Sequence, residues 1–176
     1  MASIRTGWLA LFVLLAACTG LPDNVKPVSG FQAERYLGRW YEIARLDHSF
    51  ERGMSRVTAE YTARADGGLE VLNRGYLAES KTWKEARGKA HFVDGQDRGH
   101  LKVSFFGPFY GSYVIFELDA VEYSYALVSG PNKSFLWLLA RSPTLNAATR
   151  DRLLARAAAL GFDTSRLVFV DHDLVP

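Results

Sequence analysis

The chain of 176 residues lacks most of the features by which enzymes and cofactor-binding proteins are identified. Its single cysteine, Cys18, rules out an internal disulfide and a cysteine-rich metal site. It contains no Gly-x-Ser-x-Gly motif for a hydrolase nucleophile, and Gly67, Gly68 and Gly107 are turn glycines rather than a phosphate-binding loop. We therefore predict no catalytic residue and no cofactor.

The sequence also gives no support for a metal ion or a nucleic acid as a partner. Asp171, His172 and Asp173 are adjacent in the sequence, but neighbouring positions on a strand point to opposite faces, so we predict no metal site. The 21 basic and 19 acidic residues leave a net charge of only +2. A balance this even argues against nucleic acid as the main partner.

The chain has no hydrophobic run of the roughly 20 residues that a membrane-spanning helix needs. The run at positions 8–17 has ten residues, follows Arg5 and ends in Leu15-Ala16-Ala17-Cys18. Its length is typical of a signal-peptide core, and its end matches the bacterial lipobox, in which the cysteine thiol receives a diacylglycerol. We interpret residues 1–17 as a lipoprotein signal peptide and Cys18 as the lipidation site. The alternative is an ordinary signal peptide that leaves a free thiol.

The residues after Cys18 predict the location of the protein and the way it is held. Thr19 stands where an inner-membrane retention signal usually carries Asp, so similarity to sorted lipoproteins implies the outer membrane. Residues 18–30 contain Gly20, Pro22 and Pro27 and no periodicity, which predicts a lipidated tether. Its twelve residues after Cys18 would reach about 20 Å as a random coil and about 40 Å when extended, so the domain of residues 31–176 would reorient freely.

Apolar and polar residues alternate through most of the region from Trp40 to Arg141. Leu101 and Val103, for example, lie on either side of Lys102. This period is typical of antiparallel sheets with one solvated face. Eight strands fit the pattern, at residues 40–47, 55–65, 69–78, 81–92, 99–106, 111–118, 121–129 and 134–141. We predict an all-β fold, a closed eight-stranded antiparallel up-and-down β-barrel that leaves no strand edge exposed.

A helix and a short strand are predicted after the barrel. Residues 146–160 carry one apolar stripe, Thr144 or Asn146 can cap the start, and Gly161 stands where a C-terminal cap is expected. The small apolar face predicts that this helix packs on the outside of the barrel wall. Residues 167–170 predict a last short strand.

The predicted loops differ between the two ends of the barrel, because successive turns of a meander alternate between ends. One end has short polar turns at residues 65–68, 94–98 and 118–120, and the other has longer, aromatic-rich loops at residues 47–54, 78–80, 106–111 and 130–133. Exposed aromatic side chains need a reason. A mouth that admits an apolar ligand, contact with a membrane, and rings that fold over the rim as local core are three explanations.

Separate motifs of the chain share one resemblance. Gly38 and Trp40 open the first predicted strand and Arg141 closes the last, which is the signature of the lipocalin family. The resemblance implies that the Arg141 guanidinium packs over the Trp40 indole and seals the barrel floor. The likeness covers nearly all of the chain after residue 30. Within the family, the chain most resembles the bacterial outer-membrane lipoprotein lipocalins, which are relatives of apolipoprotein D. Residues 36–45, 50–53 and 102–111 carry this closer resemblance.

The resemblance implies a fatty acid or lysophospholipid as ligand, stored or transported for maintenance of the outer membrane. Tyr113 and Trp137 match aromatic residues that line the cavity in that group. With the rim aromatics, the predicted ligand-binding residues are Phe50, Phe106, Phe109, Tyr110, Tyr113 and Trp137. The candidate partners for the ligand's head group at the mouth are Arg52, Lys81, Lys133 and the Tyr110 hydroxyl. A pigment or tetrapyrrole binder and an enzyme acting on small hydrophobic compounds are alternatives, and a homodimer is left open.

One acidic residue is expected inside the barrel. Glu42 shares the alternation of Trp40 and would point inward, where a carboxylate needs a partner or a raised pKa. Arg87 and Lys89 are candidates for that partner or for ligand contact. The sequence leaves open which face of their strand lies inside.

Overall fold

The computed structural model describes residues 19–173 as one barrel with two helices. The strands that form the barrel are β1 Gly38–Leu46, β2 Met54–Ala63, β3 Leu69–Leu77, β4 Thr82–Phe92, β5 His100–Phe106, β6 Phe109–Leu118, β7 Tyr125–Ser129 and β8 Leu136–Ala140. The remaining elements are helix α1 Ala33–Tyr36, helix α2 Ala147–Ala159, a short 3₁₀ helix at Thr164–Arg166 and a last strand, β9 Leu167–Phe169.

The sheet closes on itself, because β1 pairs with both β2 and β8. Gly38 lies opposite Tyr61 on one side of β1, and Tyr41 lies opposite Ala140 on the other. All the neighbouring strands from β1 to β8 are antiparallel, which confirms the predicted eight-stranded up-and-down barrel. We call the end with the β1–β2, β3–β4, β5–β6 and β7–β8 loops the open end, and the opposite end the closed end.

The seventh strand is shorter than predicted. Residues 119–124 form a turn rather than the start of β7, because the Asp119 carboxylate accepts hydrogen bonds from the amides of Val121 (3.1 Å) and Glu122 (3.3 Å). A side chain that bonds its own neighbouring backbone competes with strand pairing. Strand β7 therefore begins at Tyr125.

Apolar side chains form two clusters, one on each face of the barrel wall. The inner cluster fills the closed end around Trp40, Tyr61 and Leu139. In the outer cluster, Leu153 and Ala157 of α2 pack against the barrel wall, as predicted from their spacing. Caps define the helix, because the Asn146 side chain accepts from the amides of Ala148 and Thr149, and Gly161 follows the last turn with φ +86°.

A β-bulge in β1 changes which side chains face inward. The pairing with β8 shifts between Glu42 and Ala44, so the alternation that starts at Trp40 is not continued. Glu42 stays inside, Ala44 packs in the outer cluster, and Arg45 turns into the barrel, where it is 1% exposed. The bulge thereby places a cation next to the inward carboxylate.

The expectation of a free tether between residues 19 and 30 is wrong, because this segment lies against the barrel. The Ser112 hydroxyl donates to the Gly20 carbonyl (2.7 Å), and the Val28 amide donates to the Ile115 carbonyl (2.9 Å). Val25 is 3% exposed and belongs to the outer cluster. Prolines and glycine in this stretch remove helical and strand periodicity, but they do not prevent extended backbone from docking on a finished sheet. Cys18 and the predicted signal peptide lie outside the described residues.

Candidate ligand-binding site

The closed end of the barrel is sealed by an arginine lying on a tryptophan. The guanidinium carbon of Arg141 lies 4.0 Å from the centroid of the Trp40 ring. The same guanidinium donates to the carbonyls of Arg39 (2.9 Å) and Arg35 (2.7 Å), and the Trp40 indole N–H donates to the Tyr36 carbonyl (2.8 Å). Cation–π attraction and these bonds tie β1, β8 and α1 together beneath the cavity.

Replacing Arg141 with lysine is expected to destabilise the barrel by about 1–3 kcal/mol, because an ammonium cannot make the same planar set of contacts. Urea unfolding followed by tryptophan fluorescence would measure the change. Arg39→Lys is the matched control, since the Arg39 side chain is 54% exposed and its nearest acidic group, Glu60, is 3.6 Å away. Equal unfolding midpoints for the two variants would contradict a structural role for the floor arginine.

Above this floor the barrel encloses a cavity of about 700 Å³ that opens between the long loops. Its walls are mainly apolar, with Val57, Val71, Val103 and Leu139 among them. Five of the predicted ligand-binding residues line the cavity: Phe50, Phe106, Phe109, Tyr113 and Trp137. This volume lies in the range of cavities that hold small molecules.

Tyr110, the sixth predicted residue, is not part of the cavity wall. Its ring lies 5.3 Å from the Lys102 ammonium and 6.1 Å from the His91 ring, on the outer face of β4 and β5. Alternation explains the error, because Phe109 and Gly111 have the parity that faces the cavity. The prediction of a Tyr110 hydroxyl at the mouth is therefore wrong.

The three basic residues predicted at the mouth do not line the cavity either. Arg52 forms an ion pair with Asp47 (2.8 Å), and the Lys133 ammonium lies beside Gly161 at the end of α2. Lys81 is exposed in the β3–β4 loop. The cations of the described lining are instead Arg74 and Lys84, which belong to β3 and β4 at the open end; Arg74 forms an ion pair with Glu85 (2.8 Å).

Three tyrosines form a hydrogen-bonded group at the inner end of the cavity. The Tyr113 hydroxyl lies 2.8 Å from that of Tyr36 and 2.6 Å from that of Tyr61. Burial is the main reason why the pKa of each phenol is raised, so all three stay neutral. Three hydroxyls that share two hydrogen bonds keep one O–H proton for another acceptor. The group can therefore donate one hydrogen bond to a ligand or a water molecule.

A buried charged cluster also borders the cavity. Arg45 donates to the Glu42 carboxylate (2.7 Å) and to the carbonyls of Glu51 (2.7 Å) and Met54 (3.3 Å). The Glu51 carboxylate accepts from the Trp137 indole (3.1 Å), and its Oε2 is 3.1 Å from His48 Nε2. Glu42 and Glu51 both contact the cavity, so this cluster is the polar part of an otherwise apolar wall.

Glu42 holds a proton to unusually high pH. Burial, followed by the negative charge of Glu51, raises the pKa of Glu42 to about 8, although the Arg45 guanidinium acts in the opposite direction. The Glu42 carboxyl group therefore retains its proton at neutral pH. Arg87 and Lys89 take no part in this cluster, because both point outward; Arg87 contacts Glu70 at 3.4 Å.

Within residues 19–173, no group of three or more His, Cys, Asp or Glu side chains converges as metal ligands. Neither helix in this part of the chain is long and apolar enough to cross a membrane. What the site offers is a deep apolar cavity, one free phenolic donor and a buried acidic pair. These are the parts of a binding site for an apolar molecule with a small polar group.

Comparison with known proteins gives the same picture. A family described as lipocalin-like domain matches residues 31–172. The chain is 62% identical over 160 residues to the outer membrane lipoprotein Blc of Vibrio cholerae, covering 91% of this chain and 94% of that protein. It is 49% identical to outer membrane lipoprotein Blc of Escherichia coli K12, covering 90% of each. The solved structure of insecticyanin from Manduca sexta has the same fold, with a TM-score of 0.69 at 22% identity and 86% coverage of both chains.

Proposed function

The chain belongs to the lipocalin family, and from this we propose that it is a lipid-anchored protein of the outer membrane that binds single-tailed lipids. Membership of the family makes it a binding protein for hydrophobic ligands rather than an enzyme. The finer proposal is that it stores or transports a fatty acid or lysophospholipid for maintenance of the outer membrane. The observation that carries this proposal is the apolar cavity of about 700 Å³.

The energy available in such a cavity suits one acyl chain. Burying a methylene group contributes about 0.8 kcal/mol, so sixteen of them contribute up to roughly 12 kcal/mol. Association and ordering of the chain cost several kcal/mol of this sum. The remainder, about 8 kcal/mol, corresponds to a micromolar dissociation constant. An eight-stranded barrel has little interior room for a second chain.

The head group would stay near the open end. A charged group that follows the acyl chain inward needs a partner, and the inner wall offers two carboxyl groups with a single arginine. The cation that could meet an anionic head is Lys84 at the mouth, since the Arg74 guanidinium lies outside the wall beside Glu85 and Trp83. A lysophospholipid can leave its larger head in water there while its tail lies against Trp137 and Tyr113.

Location is proposed from the N-terminal sequence and from the relatives. Residues 1–17 would be removed as a signal peptide, Cys18 would carry the acyl chains, and residues 31–176 would form the binding domain. Support comes from the Leu15-Ala16-Ala17-Cys18 motif and from relatives whose names describe them as outer membrane lipoproteins. More than one acyl chain is required for stable anchoring, and lipobox modification supplies at least two.

Titration with lipids tests the binding proposal. We expect palmitate and a sixteen-carbon lysophosphatidylethanolamine to displace a fluorescent fatty-acid probe at micromolar concentration, and the diacyl phospholipid to be at least tenfold weaker. Trp137→Ala should weaken binding at least tenfold, because its ring is part of the cavity wall. Trp83→Ala is the control, since that ring lies outside between Arg56 and Arg74.

Equal affinity for one-tailed and two-tailed lipids, or none for either, would refute the proposal. A visible absorption band in the purified protein would favour a pigment instead.

A further inference from the structure

Residues 20–31 lie against the barrel and run from its open end toward its closed end, beside β6. At the start, the Ser112 hydroxyl donates to the Gly20 carbonyl (2.7 Å). Further along, the Val28 amide donates to the Ile115 carbonyl (2.9 Å). The Phe31 amide donates to the Asp97 backbone carbonyl (2.9 Å), in the closed-end turn between β4 and β5. These contacts fix the path by which the N-terminal segment enters the fold.

The beginning of this path is close to the mouth of the cavity. Ser112 is three residues after Phe109, the first residue of β6, so Gly20 lies about 10 Å along the strand from the rim. Thr19 is the first described residue, and Cys18 precedes it in the sequence. Gly20 therefore lies in the half of the barrel nearer the open end, beside β6.

The same end carries most of the exposed aromatic surface. In the described part of the chain, five Phe and Trp side chains are largely exposed. Four of them belong to the open end: Phe50, Trp83, Phe106 and Phe109. Phe106 and Phe109 are 81% and 68% exposed and flank the β5–β6 loop. The fifth, Phe169, lies on β9 at the side of the barrel.

The β5–β6 hairpin could enter a lipid layer without burying a charge. There is no charged residue between Lys102 and Glu117. Lys102 has its ammonium on the outer face over the Tyr110 ring, 5.3 Å away. At the closed end the turns instead carry charged residues such as Asp66, Asp97 and Glu122. The β5–β6 hairpin thus suits an apolar environment, whereas the closed-end turns suit water.

We propose that the barrel stands on the membrane with its mouth against the lipid surface, held by the docked N-terminal segment and by insertion of Phe106 and Phe109. The proposal rests on the lipidation of Cys18 and on the lipid cavity proposed above, and adds an orientation to them. Since residues 20–31 are bound to the barrel, they hold the anchored end beside the rim instead of letting the domain tumble. A lipid tail could then pass between bilayer and cavity without crossing water.

Depth-dependent quenching tests this orientation. A label would be placed at Gly107→Cys, where an added side chain meets no atom within 4 Å, and in a second protein at Val121→Cys, which is 73% exposed at the closed end. The full-length proteins, extracted from the membrane with Cys18 acylated, would be reconstituted on vesicles of phosphatidylethanolamine and phosphatidylglycerol. Some of the phosphatidylethanolamine would carry brominated acyl chains as quencher.

We expect the label at position 107 to be quenched at least threefold more strongly than the label at position 121. Adding Phe106→Ser and Phe109→Ser to the Gly107→Cys protein should reduce the quenching at least twofold. Equal quenching at both positions, or none at position 107 while the protein floats with the vesicles, would overturn the orientation and leave the anchor intact.

Flotation separates this outcome from a failure of the anchor. A Cys18→Ala protein should fold normally and float at least tenfold less than the parent. If the parent itself does not float, both the anchor and the orientation are wrong. If the orientation holds but lipids do not displace the fatty-acid probe, the ligand proposal fails and the membrane contact stands.

Discussion

Replacing Arg45 with methionine is expected to lower the free energy of unfolding by about 3–5 kcal/mol at pH 9, because it leaves a buried carboxylate with no cation. Arg45 is 1% exposed and donates three hydrogen bonds, to the Glu42 carboxylate and to the carbonyls of Glu51 and Met54. Methionine fills much of the same volume but can make none of them. Chemical unfolding at pH 9, followed by circular dichroism, would measure the loss.

Two control variants separate the charge from the volume. Arg52→Met removes an exposed arginine, seven residues after Arg45, that pairs with Asp47, and should cost less than about 1 kcal/mol. Adding Glu42→Leu to Arg45→Met should recover a large part of the loss, since an apolar pair often replaces a buried ion pair with little penalty. If Arg45→Met is no worse than Arg52→Met, the buried cluster does not stabilise the fold.

The Arg45 variant should also weaken ligand binding. The guanidinium holds the carbonyl of Glu51, and the loop at this point carries Phe50 and Glu51 into the cavity wall. Without that bond we expect the loop to lose its fixed position. The cavity would then lose the part of its wall that this loop forms. Probe displacement measured below the unfolding transition would detect this effect.

The second large effect is a fall in stability with rising pH. The folded protein raises the pKa of Glu42 from 4.5 to about 8, so between these values the folded state binds a proton that the unfolded state has released. The stabilisation of the folded state by this proton is fully present below about pH 4.5 and is lost as the pH rises through about 8. Its slope approaches roughly 1.4 kcal/mol per pH unit within that window.

Glu42→Gln is expected to remove this slope, because the amide keeps the shape of the carboxyl group without the titration. Unfolding free energies of parent and variant at pH 5, 6, 7, 8 and 9 would show the difference. Glu85→Gln is the matched control, since Glu85 is a half-exposed partner of Arg74 and should leave the slope unchanged. Parallel curves for parent and Glu42→Gln would show that Glu42 does not carry the proton.

The architecture could be predicted from the sequence because it depends on repeated, local signals. Alternation over many residues specifies which face of each strand is buried, and short polar turns fix the order of the strands. The floor residues Trp40 and Arg141 could be found because one stands at the start of the first strand and the other closes the last, as the resemblance to lipocalins implies. Strand β7 begins later than predicted, because hydropathy alone does not distinguish the Asp119 turn from a strand.

The buried cluster escaped prediction because it depends on one irregularity. Strict alternation from Trp40 puts Arg45 on the outer face, and the bulge after Glu42 reverses this. The predicted partners of Glu42, Arg87 and Lys89, instead point outward. Glu51 lies in a loop, where no period applies, and only the folded chain brings its carboxylate to Trp137. Arg52, Lys81 and Lys133 also lie in loops, where the sequence does not fix the direction of a side chain, and they do not line the cavity.

The closure of the barrel has a consequence for the order in which the chain can fold during synthesis. Strand β1 is completed among the first elements, yet its partner β8 and the Arg141 bonds to Arg35 and Arg39 come about a hundred residues later. Until that stretch has emerged, β1 and β7 present two unpaired edges that can join other chains. Contacts this distant in sequence also form slowly. A nascent chain that stops before residue 141 is therefore expected to aggregate, whereas one that passes it closes its own edges.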